Sequence, residues 1–376
     1  MRRITWILIL VAVAAIAAGR FGKIVIPVTD FCSFWIAGHR LLHRLNPYDA
    51  AYALQVERAL GFTEAKPLVM RNPPLALWVT LPLGMLDYAS AWMFWTCCLI
   101  LSLAIAARLL WAMYGGSQPQ RWVALAVTFG FAPALACLTV GQTAPFVLLG
   151  LTLFLYLQDR HEFWSGFVLL LAAFKPQLAF LFWITLALWC VYRQKWKQMA
   201  GLIVGIASAM LIVLCFDGRV VGEYWSMLRG ESLATQFIPT FGGFLRQRFG
   251  YAWLQVLPAI AGVVWTVIHY VRHRRSWNWK EQLPILLLAS MVLTPYAWLV
   301  DEVVVLLPLV GAAAALATTR RGTKLLVLFA IVNAGIVIAL VLGVRVVSPY
   351  YTWTIWVWIV FYAAAYTQCK RSSGLT

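Results

Sequence analysis

The chain has 376 residues, of which 63% are hydrophobic and only 11% are charged. About a quarter of the residues of a soluble domain are charged, so this composition excludes an ordinary soluble protein and predicts an integral membrane protein. The formal net charge of +17 could suggest nucleic-acid binding, but the basic residues cluster in short segments between apolar runs. The enrichment of Lys and Arg in cytoplasmic loops of membrane proteins explains that distribution better.

Apolar runs of bilayer-spanning length recur along the whole chain. They cover residues 4–18, 89–111, 122–140, 200–216, 252–271, 283–300, 303–317, 325–343 and 353–366. The first run, after Arg2 and Arg3, fits a cleavable signal peptide or an uncleaved helix, and the many later runs favour the helix. Together they predict an all-α, polytopic transmembrane bundle of about 11–13 helices, forming a single domain over residues 1–376.

Two stretches, 72–86 and 164–190, are awkward in length for this scheme. The second is long for one crossing and short for two, and it contains "FKPQ" at residues 174–177. Proline removes a backbone donor and breaks a helix, so a kinked helix and two short half-helices both fit this stretch.

The basic clusters predict the orientation of the bundle. We place four of them in the cytoplasm: Arg193, Lys195 and Lys197; Arg272, Arg274, Arg275 and Lys280; Arg320, Arg321 and Lys324; Lys370 and Arg371. The segments 20–72 and 217–250 then form two extracytoplasmic loops. The protein is expected to be a multi-pass protein of the cell membrane with its active site on the extracytoplasmic side.

The first extracytoplasmic loop contains a predicted amphipathic helix. One helical face carries Phe31, Phe34, Trp35, Leu42 and Leu45, and the other carries Ser33, Ala37, Arg40 and Arg44. This pattern predicts a helix lying along the membrane interface. Thr29 or Asp30 is expected to cap it by accepting backbone N–H bonds.

Asp30 is the first candidate for chemistry, because the chain has only 13 acidic residues and this one stands beside an apolar helix. A carboxylate at the water-facing mouth of a bundle can serve as a general base. Helix capping alone would also explain the residue, and the two roles are compatible. His39 and His43 are one helical turn apart but lack the glutamate of an "HExxH" metal site, so polar-face histidines explain them better.

The remaining candidates lie near the ends of apolar runs, where polar groups meet the interface. "NPYD" at 46–49 is a turn signal, with Asn46 and Tyr48 as candidate contacts, and Arg71 in "RNPPL" could bind a phosphate or reach lipid head groups. "GQTAPF" at 141–146 offers the Gln142 amide or forms a plain turn between helices. Placing a charge among apolar runs costs free energy, so Lys175 is a functional candidate, and its natural partner is a phosphate.

The stretch "LTPYAWLVDEVVVLLPL" at 293–309 places Pro295 at a helix break and two acids, Asp301 and Glu302, in the first turn of the next helix. Acids in a first turn are stabilised by the helix dipole, which would explain one of them. The pair also suggests an external cavity shared with Asp30. The seven cysteines show neither a disulfide framework nor zinc-ligand spacing.

The order of these motifs resembles that of polytopic glycosyltransferases that use polyprenyl-phosphate sugars. From "TDFCSFWIAG" through "NPYD", "RNPPL", "GQTAPF" and "FKPQ" to "TPYAWLVDEVVVLLP", residues 28 to about 310 are similar to polyprenyl-phosphate-mannose-dependent mannosyltransferases of the type C superfamily. In the family, the acid after the first transmembrane helix is the proposed catalytic base, and it corresponds to Asp30. Lys175 and Asp301 match a lysine-proline element and an acid after a proline-tyrosine corner, whereas Asn72 replaces the usual aromatic.

The resemblance implies transfer of a hexose, mannose first of all, to an extracytoplasmic glycan or glycolipid with inversion at the anomeric carbon. The lipid phosphate leaves without needing a proton, so one base and some cations suffice. Arg40, Arg71 and Lys175 are the candidates to stabilise the phosphate. No Asp-x-Asp motif is present, and no cofactor or metal is indicated. Membrane lipids are expected partners, and nucleic acids are not.

Two other classes of function fit a polytopic bundle with few intramembrane charges. A lipid or solute transporter or flippase would do no covalent chemistry and would show inverted repeats and interrupted helices in corresponding halves. A lipid-binding subunit without catalysis would make Asp30 dispensable. The large first loop and the lack of internal symmetry favour the enzyme.

Overall fold

The structure is a computed structural model that describes residues 28–230, 237–317 and 320–372. Seventeen α-helices occur in these ranges: α1 Asp30–Leu42, α2 Ala50–Ala59, α3 Leu81–Gly84, α4 Tyr88–Met113, α5 Trp122–Phe129, α6 Ala132–Val140, α7 Ala144–Leu157, α8 Glu162–Phe167, α9 Phe180–Tyr192, α10 Trp196–Phe216, α11 Val220–Gly230, α12 Phe241–Phe249, α13 Leu257–His273, α14 Trp279–Leu293, α15 Leu306–Leu316, α16 Arg320–Val341 and α17 Thr354–Ser372. Short 3₁₀ helices join several of them, and the described ranges contain no β-strand.

The predicted all-α membrane fold is confirmed, with fewer long helices than the sequence suggests. Within the described residues, five helices are long and apolar enough to cross a membrane, or six if one bent pair counts as a span. They are α4, α10, the 3₁₀ turn Ala252–Gln255 with α13, the 3₁₀ turn Leu299–Val305 with α15, and α16. The expected first span at 4–18 lies outside the described residues.

Proline and glycine account for part of the difference from the expected 11–13 crossings. The run 122–140 divides into α5 and α6, which are bent by 63°. Pro133 cannot donate the helical bond to the carbonyl of Phe129, and Gly130 ends α5. The freed backbone N–H of Ala132 donates to Asn333 Oδ1 at 2.7 Å, so the break is satisfied internally.

The stretch 164–190 is two short apolar helical segments, Glu162–Phe174 and Pro176–Tyr192. They are separated by Lys175, whose φ of −138° and ψ of 73° are not helical. Of the two arrangements that the sequence allowed here, the structure therefore has the half-helices. Similarly, α14 ends at Leu293 and the next segment begins at Leu299, which confirms the predicted break near Pro295.

Contacts divide the chain into two compact units. Among the described residues, unit 1 takes in 28–101, 138–142 and 208–230, and unit 2 takes in 102–137, 143–207, 237–317 and 320–372. The expectation of a single domain over 1–376 stays a prediction.

In unit 1, the predicted helix of the first loop is present as α1, but its faces differ from the prediction. Ser33 and Ala37 are buried, whereas Leu45 is 45% exposed. Helix α1 packs along the segment Pro74–Gly84, with its closest approach at Gly38. The assignment of Ser33 and Ala37 to a polar face was therefore wrong.

In unit 2, the segment Leu299–Leu316 is the most enclosed of the candidate spans: 94% of its apolar window is buried, against 17% for Arg321–Val341. It packs against α5, α7, α14, α16 and α17. Burial on all sides explains why this segment is apolar around its whole circumference apart from the two acids at its start.

Candidate functional site

Asp30 and Gln142, two predicted site residues 112 positions apart, are joined in unit 1. The Gln142 amide donates to Asp30 Oδ2 at 2.7 Å. Gln142 follows Gly141, whose φ of +76° gives the left-handed turn expected of "GQTAPF". A Cβ at position 141 would lie 2.6 Å from the Cβ of Phe31, so this turn needs a glycine to pack against α1.

The expected helix cap by Thr29 is not formed. Thr29 is the N-cap residue of α1, but its side chain makes no capping hydrogen bond. Asp30 occupies the first turn of α1, where the helix dipole favours a negative charge. This position supports an ionised Asp30 carboxylate.

Arg40, Asn46 and Asp49 form a second polar group in unit 1. The Arg40 guanidinium donates to Asp49 Oδ2 at 2.9 Å and to the carbonyl of Asn46 at 2.9 Å, and it lies over the ring of Tyr52. "NPYD" is a turn, as predicted, and Asp49 caps α2 by accepting the N–H of Tyr52. These bonds hold the Arg40 side chain in one place.

Tyr48 and Arg71 contact Tyr224 of α11, which lies within the predicted second extracytoplasmic loop. The Tyr48 and Tyr224 rings lie 5.4 Å apart, and the Tyr224 hydroxyl donates to the Arg71 carbonyl at 3.4 Å. Tyr48 is 3% exposed, and its hydroxyl has no hydrogen-bond partner among the described atoms. Burial, with Tyr224 and Glu223 nearby, raises the pKa of Tyr48 well above its usual value.

Glu57 is a buried acid that the sequence did not single out. It is fully buried on α2, and both carboxylate oxygens accept the backbone N–H of Leu68, at 3.0 and 3.2 Å. Burial raises the pKa of Glu57 to about 7; the Leu68 N–H opposes that rise and the charge of Asp30 adds to it. Its only sequence signal was its place one turn after Ala53 on the apolar side of α2.

In unit 2, Lys175 pairs with Asp301, 126 positions away. Lys175 Nζ lies 2.6 Å from Asp301 Oδ1, and both side chains are buried. Asp301 Oδ2 accepts the backbone N–H of Trp298 at 3.0 Å. The structure therefore supplies a carboxylate partner for the lysine, and an ammonium group has three donors in all.

Glu302, the neighbour of Asp301, is held by the C-terminal helix. Its two carboxylate oxygens accept the Thr354 hydroxyl at 2.5 Å and the Trp358 indole N–H at 2.7 Å. Glu302 also lines a cavity of about 10 Å³, roughly the size of one water, with Trp298 and Tyr351. These bonds indicate a role in fixing α17 to the start of the Leu299–Leu316 segment.

The histidines of α1 lie side by side. The His39 and His43 rings are 4.5 Å apart, and burial, with the charges of His43 and Arg40, lowers the pKa of His39. Across residues 28–230, 237–317 and 320–372, no three His, Cys, Asp or Glu side chains are grouped so as to hold a metal ion.

An all-helical fold with several helices able to cross a membrane, and with buried polar pairs at their ends, defines a polytopic membrane protein. The family model of glycosyltransferase family 87 matches residues 71–349, well over half of the chain. The chain therefore belongs to glycosyltransferase family 87 and is a membrane glycosyltransferase. No curated protein and no solved structure matches it. The matched range begins at Arg71, so Asp30, Arg40, Asn46 and Tyr48 lie before it.

Proposed function

We propose that the protein transfers a hexose, with mannose as the first candidate, from a polyprenyl-phosphate sugar to an extracytoplasmic glycan or glycolipid. Family membership supports glycosyl transfer, which neither the transporter nor the lipid-binding interpretation predicted. The donor, the acceptor and the sugar come from the resemblance to polyprenyl-phosphate-mannose-dependent enzymes.

The observation that carries the proposal is the Asp30–Gln142 hydrogen bond at the start of α1. A general base needs a carboxylate that is ionised and oriented. The position in the first helical turn favours the charged form, and the Gln142 amide fixes the direction of the carboxylate.

In this reaction, Asp30 takes the proton of an acceptor hydroxyl. The acceptor oxygen forms a bond to the anomeric carbon while the bond from that carbon to the phosphate oxygen breaks. Polyprenyl phosphate leaves with the electron pair, and the configuration inverts. Because phosphate is a stable anion, the leaving group needs positive charge rather than a proton.

Arg71 and Arg40 are the cations that we assign to the phosphate in unit 1. Arg40 is fixed by Asp49 and by the carbonyl of Asn46. A guanidinium can give two parallel hydrogen bonds to a phosphate, which makes these residues better suited to orient it than a surface lysine. Lys175 and Asp301 remain proposed substrate contacts in unit 2. To Glu302 we assign a structural role, which is to hold α17.

The orientation of unit 2 supports an extracytoplasmic role for the Lys175–Asp301 pair. Arg193, before α10, donates to the carbonyl of Arg275 at 2.7 Å, and Tyr114 donates to the carbonyl of Lys280 at 2.7 Å. Six residues after Tyr114, the Gln120 amide donates to the carbonyl of Ala317, just before the third basic loop. These contacts place three of the basic loops at one end of unit 2.

The helices of unit 2 lead from that end to the ion pair. Helix α9 ends at Tyr192, beside the first basic loop, and begins close after Lys175; the Leu299–Leu316 segment runs from Asp301 to the third basic loop. The ion pair therefore lies at the opposite end. If the basic loops are cytoplasmic, the pair faces outward.

The test is transfer by purified protein from a labelled polyprenyl-phosphate mannose, with lipid extract of the host membrane as acceptor source. We expect Asp30→Asn to lower kcat by at least about 10³-fold, because the amide cannot accept the proton. Gln142 can still hydrogen-bond the new side chain, so the thermal midpoint in detergent should stay close to that of the wild type. Equal activity of the variant would remove Asp30 from catalysis.

Flux assays in sealed vesicles complete the test. Movement of the labelled lipid across the membrane without any covalent product would support the transporter interpretation over transfer.

A further inference from the structure

Two arginines from different loops lie over one exposed tyrosine ring in unit 2. The guanidinium carbon of Arg274 is 5.0 Å from the centre of the Tyr192 ring, and that of Arg193 is 5.8 Å from it. Tyr192 is the last residue of α9 and is 42% exposed. Guanidinium groups are attracted to the face of an aromatic ring, so this ring holds two positive charges near each other at the protein surface.

Hydrogen bonds fix the relative position of the two loops. Nη2 of Arg193 donates to the carbonyl of Arg275 at 2.7 Å, and it lies 3.4 Å from the carbonyl of Arg274. The Tyr270 hydroxyl donates to the carbonyl of Leu188 at 3.4 Å and so joins α13 to α9 one turn before the loops. The fold therefore brings together two charges that are far apart in the sequence.

Neither arginine is neutralised by a carboxylate within the described part of the chain. There, Arg193 and Arg274 make no ion pair with an aspartate or glutamate, and the Arg274 guanidinium makes no hydrogen bond. The neighbouring Lys195 pairs with Glu162, so that acid is bonded elsewhere. Guanidinium groups with free N–H donors favour an anion with several acceptor oxygens, and a phosphate matches their geometry.

The ends of two candidate spans place these arginines at the level of lipid head groups. The span Ala252–His273 ends directly before Arg274, and α10 begins at Trp196, soon after Arg193. Val191, beside the tyrosine, and Trp196 are both exposed. Exposed apolar and aromatic side chains at the end of a span meet the membrane interface. A phosphate bound here would therefore belong to a lipid whose acyl chains lie along these helices.

We propose that Tyr192, Arg193 and Arg274 form a binding site for the head group of an anionic phospholipid, in the leaflet at the basic end of unit 2. The guanidinium groups hydrogen-bond the phosphate, and the acyl chains lie against the exposed apolar residues near the ends of α9 and α13. The site is at the end of unit 2 opposite to the Lys175–Asp301 pair. The inference does not depend on the proposed function.

The experiment is native mass spectrometry of the purified protein in an uncharged detergent, titrated with phosphatidylglycerol or with phosphatidylcholine of the same acyl chains. We expect the first phosphatidylglycerol to bind more tightly than phosphatidylcholine, whose trimethylammonium group offsets the phosphate charge. Arg274→Gln should raise the Kd of that first lipid about fivefold or more, the loss expected for one basic residue at an anionic lipid. Since the Arg274 side chain makes no hydrogen bond in the described ranges, the thermal midpoint should not change.

Arg160→Gln is the matched control. The Arg160 guanidinium carbon lies 4.7 Å from the centre of the exposed Tyr156 ring, and the described residues place no second arginine over that ring. This variant removes the same charge and the same kind of ring contact, and we expect its Kd to stay within about twofold of the wild type, because a charge outside the contact is screened. Arg193→Gln should weaken binding as Arg274→Gln does. It also removes the bond to the Arg275 carbonyl, so its melting curve is recorded as well.

Equal increases of Kd in Arg274→Gln and Arg160→Gln would show that the lipid is attracted by the general positive charge of this end, and they would overturn the proposal. An unchanged Kd of Arg274→Gln, or equal affinity of the wild type for the two phospholipids, would do the same. Inorganic phosphate offered in place of lipid should give no comparable adduct. A phosphate adduct that Arg274→Gln removes would assign the site to the free anion and not to a lipid.

Discussion

At the scale of single residues, several buried polar side chains of this protein are held by partners far away in the chain. Lys175 and Asp301 show the consequence most clearly, because both are buried and separated by 126 positions. Removing one residue of a buried ion pair destabilises the fold, because it leaves the other charge buried without a partner. Replacing both residues by uncharged ones need not destabilise it. The two residues therefore depend on each other.

We expect Lys175→Met and Asp301→Asn each to lower the free energy of unfolding by about 3–5 kcal/mol, since each leaves one buried charge unpaired. The double variant should lose much less than the sum, because no charge remains. Thermal or denaturant unfolding in detergent measures all three. Costs that simply add would mean that the two side chains do not interact.

At the scale of elements, α1 is positioned by the close approach of two backbones. A Cβ on Gly38 would lie 2.1 Å from the carbonyl oxygen of Thr80, and one on Gly84 would lie 2.4 Å from the backbone of residue 38. Glycine is the one residue that allows helix and backbone to meet at such distances. This contact fixes the helix whose first residue is Asp30.

Gly38→Ala should destabilise the protein by about 3 kcal/mol, because backbone atoms cannot move aside as a flexible side chain can. It should also lower transfer activity, since α1 carries Asp30. The matched control is Gly222→Ala on α11, where a Cβ meets nothing within 4 Å. Melting curves of the two variants in detergent compare them; equal stability would show that α1 can shift away without cost.

At the scale of the whole molecule, the distribution of charge within unit 2 indicates its orientation. Arg193 and Arg275 are joined at one end. At the other end, Gln255 contacts the carbonyl of Pro295 and the side chain of Arg246 on α12. The last part of the second predicted external loop, which contains α12, thus lies at the end opposite to the basic loops.

Labelling of single cysteines can test this orientation. In a variant without the native cysteines, Arg248→Cys on α12 should react with a membrane-impermeant maleimide in intact cells. Ser276→Cys, beside the second basic loop, should react only after permeabilisation, because basic loops stay in the cytoplasm. The reverse pattern would place the Lys175–Asp301 pair on the cytoplasmic side.

Much of the fold follows from local patterns. The apolar runs predicted the long helices to within a few residues, as for α10 and α16, and the glycine and proline motifs predicted the turns at 46–49 and 141–146. The 63° bend between α5 and α6 was not anticipated, although Pro133 and Gly130 were visible. The break leaves the Ala132 N–H without a helical partner, and the buried Asn333, 201 positions away, accepts it instead.

The sequence by itself determined the membrane class, the all-helical fold and most of the polar candidates, because hydrophobic periodicity and helix breakers act over a few residues. Only the tertiary structure decided which candidates meet. It joined Asp30 to Gln142, gave Lys175 a carboxylate partner, turned Ser33 inward and buried Glu57. Such contacts depend on how helices distant in the chain pack, and no local pattern distinguishes a buried glutamate from an exposed one on a short polar helix.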